Sequence, residues 1–154
     1  MIRRYAMALL MMVAAGWTLS AGAQERGTKD EAKAMTDAAV DYIKKAGADK
    51  AYKDFTQDKA AWTKKDLYVF VFDNKGTFLA HGANDKLVGR DMSAMKDANG
   101  KLIFVAMKEV ADSKGTGWVD YDWAHPQTKR VEGKSSYVRK VPGTDTLVGV
   151  GIYR

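Results

Sequence analysis

The sequence contains no cysteine and only two histidines and two prolines among its 154 residues. Without cysteine there are no disulfide bonds and no thiol chemistry, so packing alone has to stabilise the fold. The motifs of zinc peptidases, serine hydrolases and P-loop nucleotide-binding proteins are also absent. We therefore predict that the protein is not an enzyme and holds neither a metal nor another cofactor.

Two weak patterns do not change that prediction. Residues 73–76 (DNKG) resemble the start of a calcium-binding loop, but the acidic residue at the twelfth position is missing. A turn between two strands explains them better, with Gly76 free to adopt a positive φ. Ser135 or Ser136 together with His81 would supply the serine and the histidine of a hydrolase site, but any chain of this size contains such a combination by chance.

The net charge is +6, yet the lysines are interspersed with acidic residues. No run of like charge is long enough to follow a phosphate backbone, so we predict no nucleic-acid partner.

The N-terminus has the pattern of a secretory leader. Arg3 and Arg4 precede an apolar stretch that ends near Leu19, and residues 21–23 (AGA) suit signal peptidase. We predict a signal peptide over residues 1–23, a periplasmic mature protein beginning at Gln24, and no stable membrane insertion after cleavage. The alternative is an uncleaved anchor, but a spanning helix needs about 20 apolar residues and this stretch is shorter.

Residues 24–154 are predicted to form one α+β domain. Thr28 and Glu31 form a capping box before a helical pattern that ends at Gly47, and a shorter helix follows from Asp49. Residues 67–72 (LYVFVF) indicate a strand buried on both faces. We then predict a hairpin strand at 77–81, an irregular stretch, a helix at 101–112 and strands at 118–123, 135–140 and 147–153. The strands together form an antiparallel sheet of five to six strands.

Polar-tipped aromatic residues and one lysine are concentrated in the last three strands. Small-molecule pockets are largely aromatic with a few convergent polar groups, but aromatic residues in strands also serve as ordinary core. The residue types alone leave both interpretations open. The group comprises Trp118, Tyr121, Trp123, Lys134, Tyr137 and Tyr153.

An ordered series of short motifs from about Asp30 to Arg154 resembles the single Cache domain family of bacterial extracytoplasmic sensors. The resemblance implies a long N-terminal helix packed on a PAS-like antiparallel sheet, and a pocket on the other face that binds small ligands, often short carboxylates. Family members are commonly the sensing parts of chemoreceptors and histidine kinases. The series comprises residues 66–73 (DLYVFVFD), Gly76, 80–82 (AHG), Gly89, 96–97 (KD), 100–101 (GK), 117–119 (GWV), Tyr121, Trp123, Pro126, Lys134, 136–138 (SYV), Gly149 and 151–153 (GIY).

From the aromatic group and the resemblance together, we predict a site for a small carboxylate. Lys134 would neutralise it, Tyr121 and Tyr137 would donate hydrogen bonds, and Trp118 and His81 would close the pocket. Strand alternation is a difficulty, because Trp118 and Tyr121, like Lys134 and Tyr137, would point to opposite faces. Either a bulge intervenes or one member of each pair belongs to the core. Lys134 is expected at the start of its strand, where alternation is least regular. His81 is equally compatible with a structural role.

No signalling module follows Ile152 in this sequence, so we expect a periplasmic module that binds a small organic acid and presents it to a partner such as a membrane-bound receptor or kinase. The alternative is a periplasmic interaction or structural module whose pocket is filled by aromatic packing.

Overall fold

The computed structural model describes residues 25–154, so the predicted signal peptide and its cleavage before Gln24 lie outside the described residues. Helices and strands alternate in blocks along this part of the chain, as expected for an α+β domain. The helices are α1 (Lys29–Ala46), α2 (Ala48–Gln57), α3 (Lys59–Trp62) and α4 (Ile103–Lys114). The strands are β1 (Thr63–Lys64), β2 (Leu67–Phe72), β3 (Phe78–His81), β4 (Thr116–Ala124), β5 (Val131–Lys140) and β6 (Leu147–Tyr153).

The strands form one antiparallel sheet in the order β1-β2-β6-β5-β4, and β3 pairs with β2 as well. The buried strand β2 therefore lies inside the sheet, where its apolar sequence places it. The predicted fold class is confirmed. The strand boundaries differ most at β5, which begins at Val131 rather than at Ser135, because its ladder with β4 continues to the pair Ala124–Val131.

Helix α1 begins at the predicted capping box. The Thr28 side chain accepts from the Glu31 amide, the Glu31 carboxylate accepts from the Thr28 amide, and Gly47 ends the helix with a φ of 89°. With α2 it covers one face of the sheet, against Val148, Val150 and the partly buried Ile152. No helix within residues 25–154 is long and apolar enough to cross a membrane.

Helix α4 and the segment 82–102 cover the opposite face. That segment has little regular structure, but backbone hydrogen bonds fix it to β3 and its turn, among them Gly89 N–H to Phe78 C=O and Met92 N–H to Gly76 C=O, both at 2.8 Å. Alternate side chains of β2 divide between the two faces, with Tyr68, Phe70 and Phe72 on the α4 side. The space between this face and α4 contains the site described next.

Candidate functional site

A small internal cavity lies between the sheet and α4. Its volume is about 10 Å³, which is close to the minimum that a single water molecule requires. Aromatic rings and methionines form most of its wall, and the polar groups gather at one end. Its lining residues are Tyr68, Phe70, Phe72, Phe78, His81, Met92, Met95, Ile103, Phe104, Met107, Tyr121, Trp123 and Lys134.

An outer cleft of about 390 Å³ leads to this cavity. The two spaces share Tyr68, His81, Met95, Ile103 and Trp123 as walls. Met95 is 43% exposed, and methionine adapts its shape more readily than other apolar side chains. Movement of Met95 would therefore connect the cleft with the cavity.

Lys134 supplies the cation at the polar end of the cavity. It is the fourth residue of β5, within the regular ladder, and its side chain is only 1% exposed. The Nζ atom donates to the Tyr68 hydroxyl at 2.7 Å and lies 5.0 Å from the centre of the Tyr153 ring. Burial lowers the pKa of Lys134 to about 7, although the charge of Asp66 opposes this shift.

The ammonium form of Lys134 has no counter-charge in contact with it within residues 25–154. None of the ion pairs in this part of the chain includes its Nζ atom. An unpaired buried charge is costly, and Lys134 uses only one of the three donors that an ammonium group carries. The site is therefore suited to an anion that accepts hydrogen bonds.

Two tyrosine hydroxyls extend the hydrogen bonding away from Lys134. The Tyr153 hydroxyl donates to the Ala124 carbonyl at 2.8 Å, so it is free to accept from the Tyr68 hydroxyl 3.2 Å away. Tyr68 thus accepts from Lys134 and donates to Tyr153. Burial raises the pKa of Tyr68 well above its usual value, and that of Tyr153 is raised for the same reason. Both hydroxyls stay protonated near neutral pH.

His81, at the end of β3, lines the cavity as a neutral imidazole. Its Nδ1 atom accepts from the backbone amides of Ala83 and Asn84, at 3.2 and 2.9 Å. The neutral ring therefore carries its proton on Nε2. Burial lowers the pKa of His81 to about 3, and the charges of Lys134 and Lys59 act in the same direction. His81 is both anchored to the backbone and exposed to the cavity, so the two roles considered from sequence are compatible.

Tyr121 reaches the cavity from β4. Its ring is 5% exposed, and its hydroxyl lies 2.8 Å from the Ser136 hydroxyl on β5. Either oxygen can be the donor, and burial raises the pKa of Tyr121 well above the usual value. The structure thus brings together three of the five predicted site residues, His81, Tyr121 and Lys134.

Trp118 and Tyr137 do not reach the cavity. The β4–β5 ladder runs from Thr116–Arg139 to Ala124–Val131 with no bulge, so strand alternation holds throughout. Both rings lie on the α1 face, with centroids 5.3 Å apart. There Lys29 of α1 lies 5.2 Å from the Trp118 ring centre. The regular ladder thus separates these two predicted site residues from the other three.

Two glycines in β6 lie directly against two side chains that line the cavity, Phe70 and Lys134. A Cβ atom on Gly151 would lie 2.4 Å from Cε of Lys134, and one on Gly149 would lie 2.2 Å from the Phe70 ring. Real Cβ atoms do not approach so closely, so only glycine leaves space for these two side chains. The glycines thereby define where the lysine and the aromatic wall lie.

Sequence reasoning missed Tyr68, which it assigned only to a buried strand. Tyr153 was noticed among the aromatic residues but was not assigned to the site. The alternation of side chains along a strand could have indicated both residues. Tyr68 shares a face of β2 with Phe70, and Tyr153 shares a face of β6 with Gly149 and Gly151. The methionines of segment 82–102 gave no such signal, since that segment is irregular.

A second buried polar pair lies beside the cavity. His125 Nε2 is 3.3 Å from Asp66 Oδ2, and both side chains are almost fully buried. Asp66 Oδ1 also accepts from the Gly27 amide at 2.7 Å. The pair therefore ties the segment before α1 to the start of β2. Within residues 25–154 no group of three or more acidic, histidine or cysteine side chains is placed to hold a metal ion.

The family model for Single Cache domain 2 matches residues 8–154. This chain belongs to that family. Cache domains serve as extracytoplasmic sensor domains of chemoreceptors, so membership of the family indicates a ligand-sensing module.

Curated relatives include two signalling proteins. The methyl-accepting chemotaxis protein McpP of Pseudomonas putida is 31% identical over 88 residues, which is 57% of this chain and 16% of that protein. The sensor histidine kinase MctS of Rhizobium johnstonii is 28% identical over 89 residues, which is 58% of this chain and 19% of that protein. The aligned part therefore covers less than a fifth of either relative.

Solved structures of sensor domains are also similar. A methyl-accepting chemotaxis protein from Vibrio parahaemolyticus has a TM-score of 0.68 at 27% identity, covering 81% of this chain and 87% of that one. A Cache chemosensory domain described in terms of carboxylic acid recognition has a TM-score of 0.64 at 25% identity, covering 79% and 84%. Both have the arrangement of helices and sheet found here.

Proposed function

We propose that this protein is a periplasmic sensory module that binds a short monocarboxylate in the cavity beside Lys134. The observation that carries the proposal is a fully buried lysine, without a contacting counter-charge among the described residues, at the polar end of an otherwise apolar cavity. A carboxylate would accept from the free donors of Lys134 and would offset the cost of the buried charge. The carboxylic acid recognition described for a structural neighbour supports the same ligand class.

The lining favours one carboxylate rather than two. Lys134 is the one cationic residue among those that line the inner cavity, since His81 is neutral there. The other end is formed by Phe72, Met92 and Phe104, and a second charge there would be desolvated without a partner. The ligand would thus direct a small alkyl group at these side chains.

The small volume of the cavity sets the size of the ligand. Because the described structure leaves only about 10 Å³, even propionate requires lining side chains such as Met95 to move. Each further carbon requires more of the wall to move, and overpacking a filled interior costs about 1–3 kcal/mol. We therefore expect acids of two to four carbons to bind and longer ones to bind weakly.

A binding module of this kind acts by presenting its occupied form to a partner. The similarity to a chemotaxis receptor and to a sensor kinase supports a membrane-bound receptor or kinase as that partner. Export by a cleaved signal peptide over residues 1–23 is part of the same proposal, and the N-terminal sequence of protein from a periplasmic extract tests it. An intact Met1 would contradict cleavage.

One observation favours the second candidate, an interaction module without a ligand. The cavity is nearly filled by its own side chains, as expected if the pocket had become ordinary core. The two functions differ in their response to small acids. Only the sensory module is stabilised by an acid that binds the folded state.

Calorimetric titration and thermal shift with acetate, propionate and butyrate, alongside succinate and alanine, decide between them. We expect the monocarboxylates to bind and raise the melting temperature. Lys134→Met keeps most of the stem and removes the charge, so affinity should fall roughly 10–100-fold, as one lost charge-assisted hydrogen bond implies. Lys44→Met, an exposed position on α1, is the matched control and should bind like the original. No response to any acid would favour the interaction module.

A further inference from the structure

The same lysine has a second chemical capability that anion binding does not use. An amine becomes a nucleophile when it loses its proton, and apolar burial without a counter-charge favours that loss. Lys134 combines this burial with a place in the inner cavity, which shares Tyr68, His81, Met95, Ile103 and Trp123 with the outer cleft, so movement of Met95 would open it to a small solute. The three lysines nearest in the printed sequence, Lys129, Lys140 and Lys114, are exposed in the folded domain.

We propose that Lys134 is a reactive amine that captures small aldehydes or ketones as an imine in the inner cavity. The Nζ atom attacks the carbonyl carbon, a C–N bond forms, and the carbonyl oxygen leaves as water with the two protons that the neutral amine carried. A C=N bond replaces C=O, so the step needs neither an oxidant nor a reductant. Water reverses it, and the captured carbonyl compound is released unchanged.

The contacts around Nζ support this chemistry. The Tyr68 hydroxyl, 2.7 Å away, holds the nitrogen at the edge of the cavity. Tyr68 in turn donates to Tyr153, which fixes the direction of its lone pairs. The apolar walls exclude bulk water, which disfavours the charged ammonium. With the pKa of Lys134 near 7, about half of the molecules carry the neutral amine at neutral pH. An exposed lysine is neutral roughly a thousand times less often, given its usual pKa of about 10.4.

This capture shares its cavity with the proposed function but does not depend on carboxylate binding. In the empty site the lysine has a large neutral fraction. A carboxylate in the same place would favour the ammonium and fill the space, so it would compete with a carbonyl compound. The two proposals can therefore fail separately.

Reductive trapping with acetaldehyde and sodium cyanoborohydride tests the capture on the full chain. Peptide mass spectrometry gives the rate of ethylation at each lysine in one digest, with exposed Lys44 and Lys45 as internal references. We expect Lys134 to be modified at least about tenfold faster than either at pH 7. The ratio of its rate to that of Lys44 should fall as the pH rises from 7 towards 10, because the neutral fraction of Lys44 increases over that range while that of Lys134 is already large.

Modification of Lys134 at or below the rate of Lys44, or a ratio of the two rates that stays the same from pH 7 to pH 10, would overturn the inference. A propionate titration on the same sample distinguishes this failure from that of the proposed function. If propionate binds but Lys134 is not trapped preferentially, only the capture is wrong. If Lys134 is trapped preferentially and propionate neither binds nor protects it, only the carboxylate proposal is wrong.

Discussion

Replacing Gly151 by alanine tests whether the space that this glycine leaves positions Lys134. The added Cβ would lie 2.4 Å from Cε of Lys134 and 2.3 Å from the Ser136 hydroxyl oxygen. Because ordinary carbon contacts are about 3.5–4.0 Å, both groups have to move away from the added methyl group, each by about 1 Å. Overpacking of this kind costs about 1–3 kcal/mol of the free energy of unfolding.

Gly133→Ala is the matched control. A Cβ on Gly133 would contact only the Arg154 guanidinium, at 3.0 Å, and that side chain is half exposed and able to move. Gly133 directly precedes Lys134 in the sequence, so this substitution, like Gly151→Ala, lies close to the lysine. We expect stability to change little or to rise by about 0.4–1 kcal/mol, because alanine restricts the unfolded chain more than glycine does.

Urea denaturation and titration with propionate give the two readouts. Gly151→Ala should lower the free energy of unfolding by about 1–3 kcal/mol and weaken propionate binding about tenfold or more, through loss of one well-placed charge-assisted hydrogen bond. The control should bind as the original does. If Gly151→Ala matched the control in both measurements, the position assigned to the Lys134 side chain would be refuted.

Three further predictions follow from burial and charge. Propionate affinity should fall as pH rises above about 7 in calorimetric titrations, because the free protein then loses the Lys134 proton that the complex retains; a pH-independent affinity from 6 to 9 would contradict this. Phe70→Ala should lower the free energy of unfolding by about 3–5 kcal/mol in urea denaturation, since the ring is 3% exposed and packs against Gly149 of β6. A loss below about 1 kcal/mol would place the ring at the surface. His125→Leu should cost about 1–3 kcal/mol by leaving Asp66 Oδ2 without its partner, and unchanged stability would argue against that pair.

Local patterns in the sequence were sufficient to predict most of the fold. The capping box at Thr28, the turn at Gly76 and the all-apolar strand β2 each depend on residues close together in the chain. Their physical causes are local hydrogen bonding, positive φ and burial on both faces. The start of β5 was predicted less accurately, because Val131 and Glu132 belong to a strand only through pairing with β4.

The site was predicted only in part, since its composition depends on which face each strand presents. Alternation separates Tyr121 from Trp118 and Lys134 from Tyr137, and the β4–β5 ladder contains no bulge that would bring them to one face. Tyr68 was hidden within an apolar run. Its role follows from lying across the sheet from Lys134, and that proximity arises from the strand order rather than from any spacing in the sequence.

The most direct test of the central claim is a crystal structure of the protein with bound propionate. We predict density for the ligand in the inner cavity, with a carboxylate oxygen about 2.7–2.9 Å from Nζ of Lys134 and the alkyl group directed at Phe72 and Phe104. Met95 or another wall residue should have moved to make space. Propionate bound elsewhere, or an inner cavity still closed around Lys134 at saturating propionate, would contradict the account.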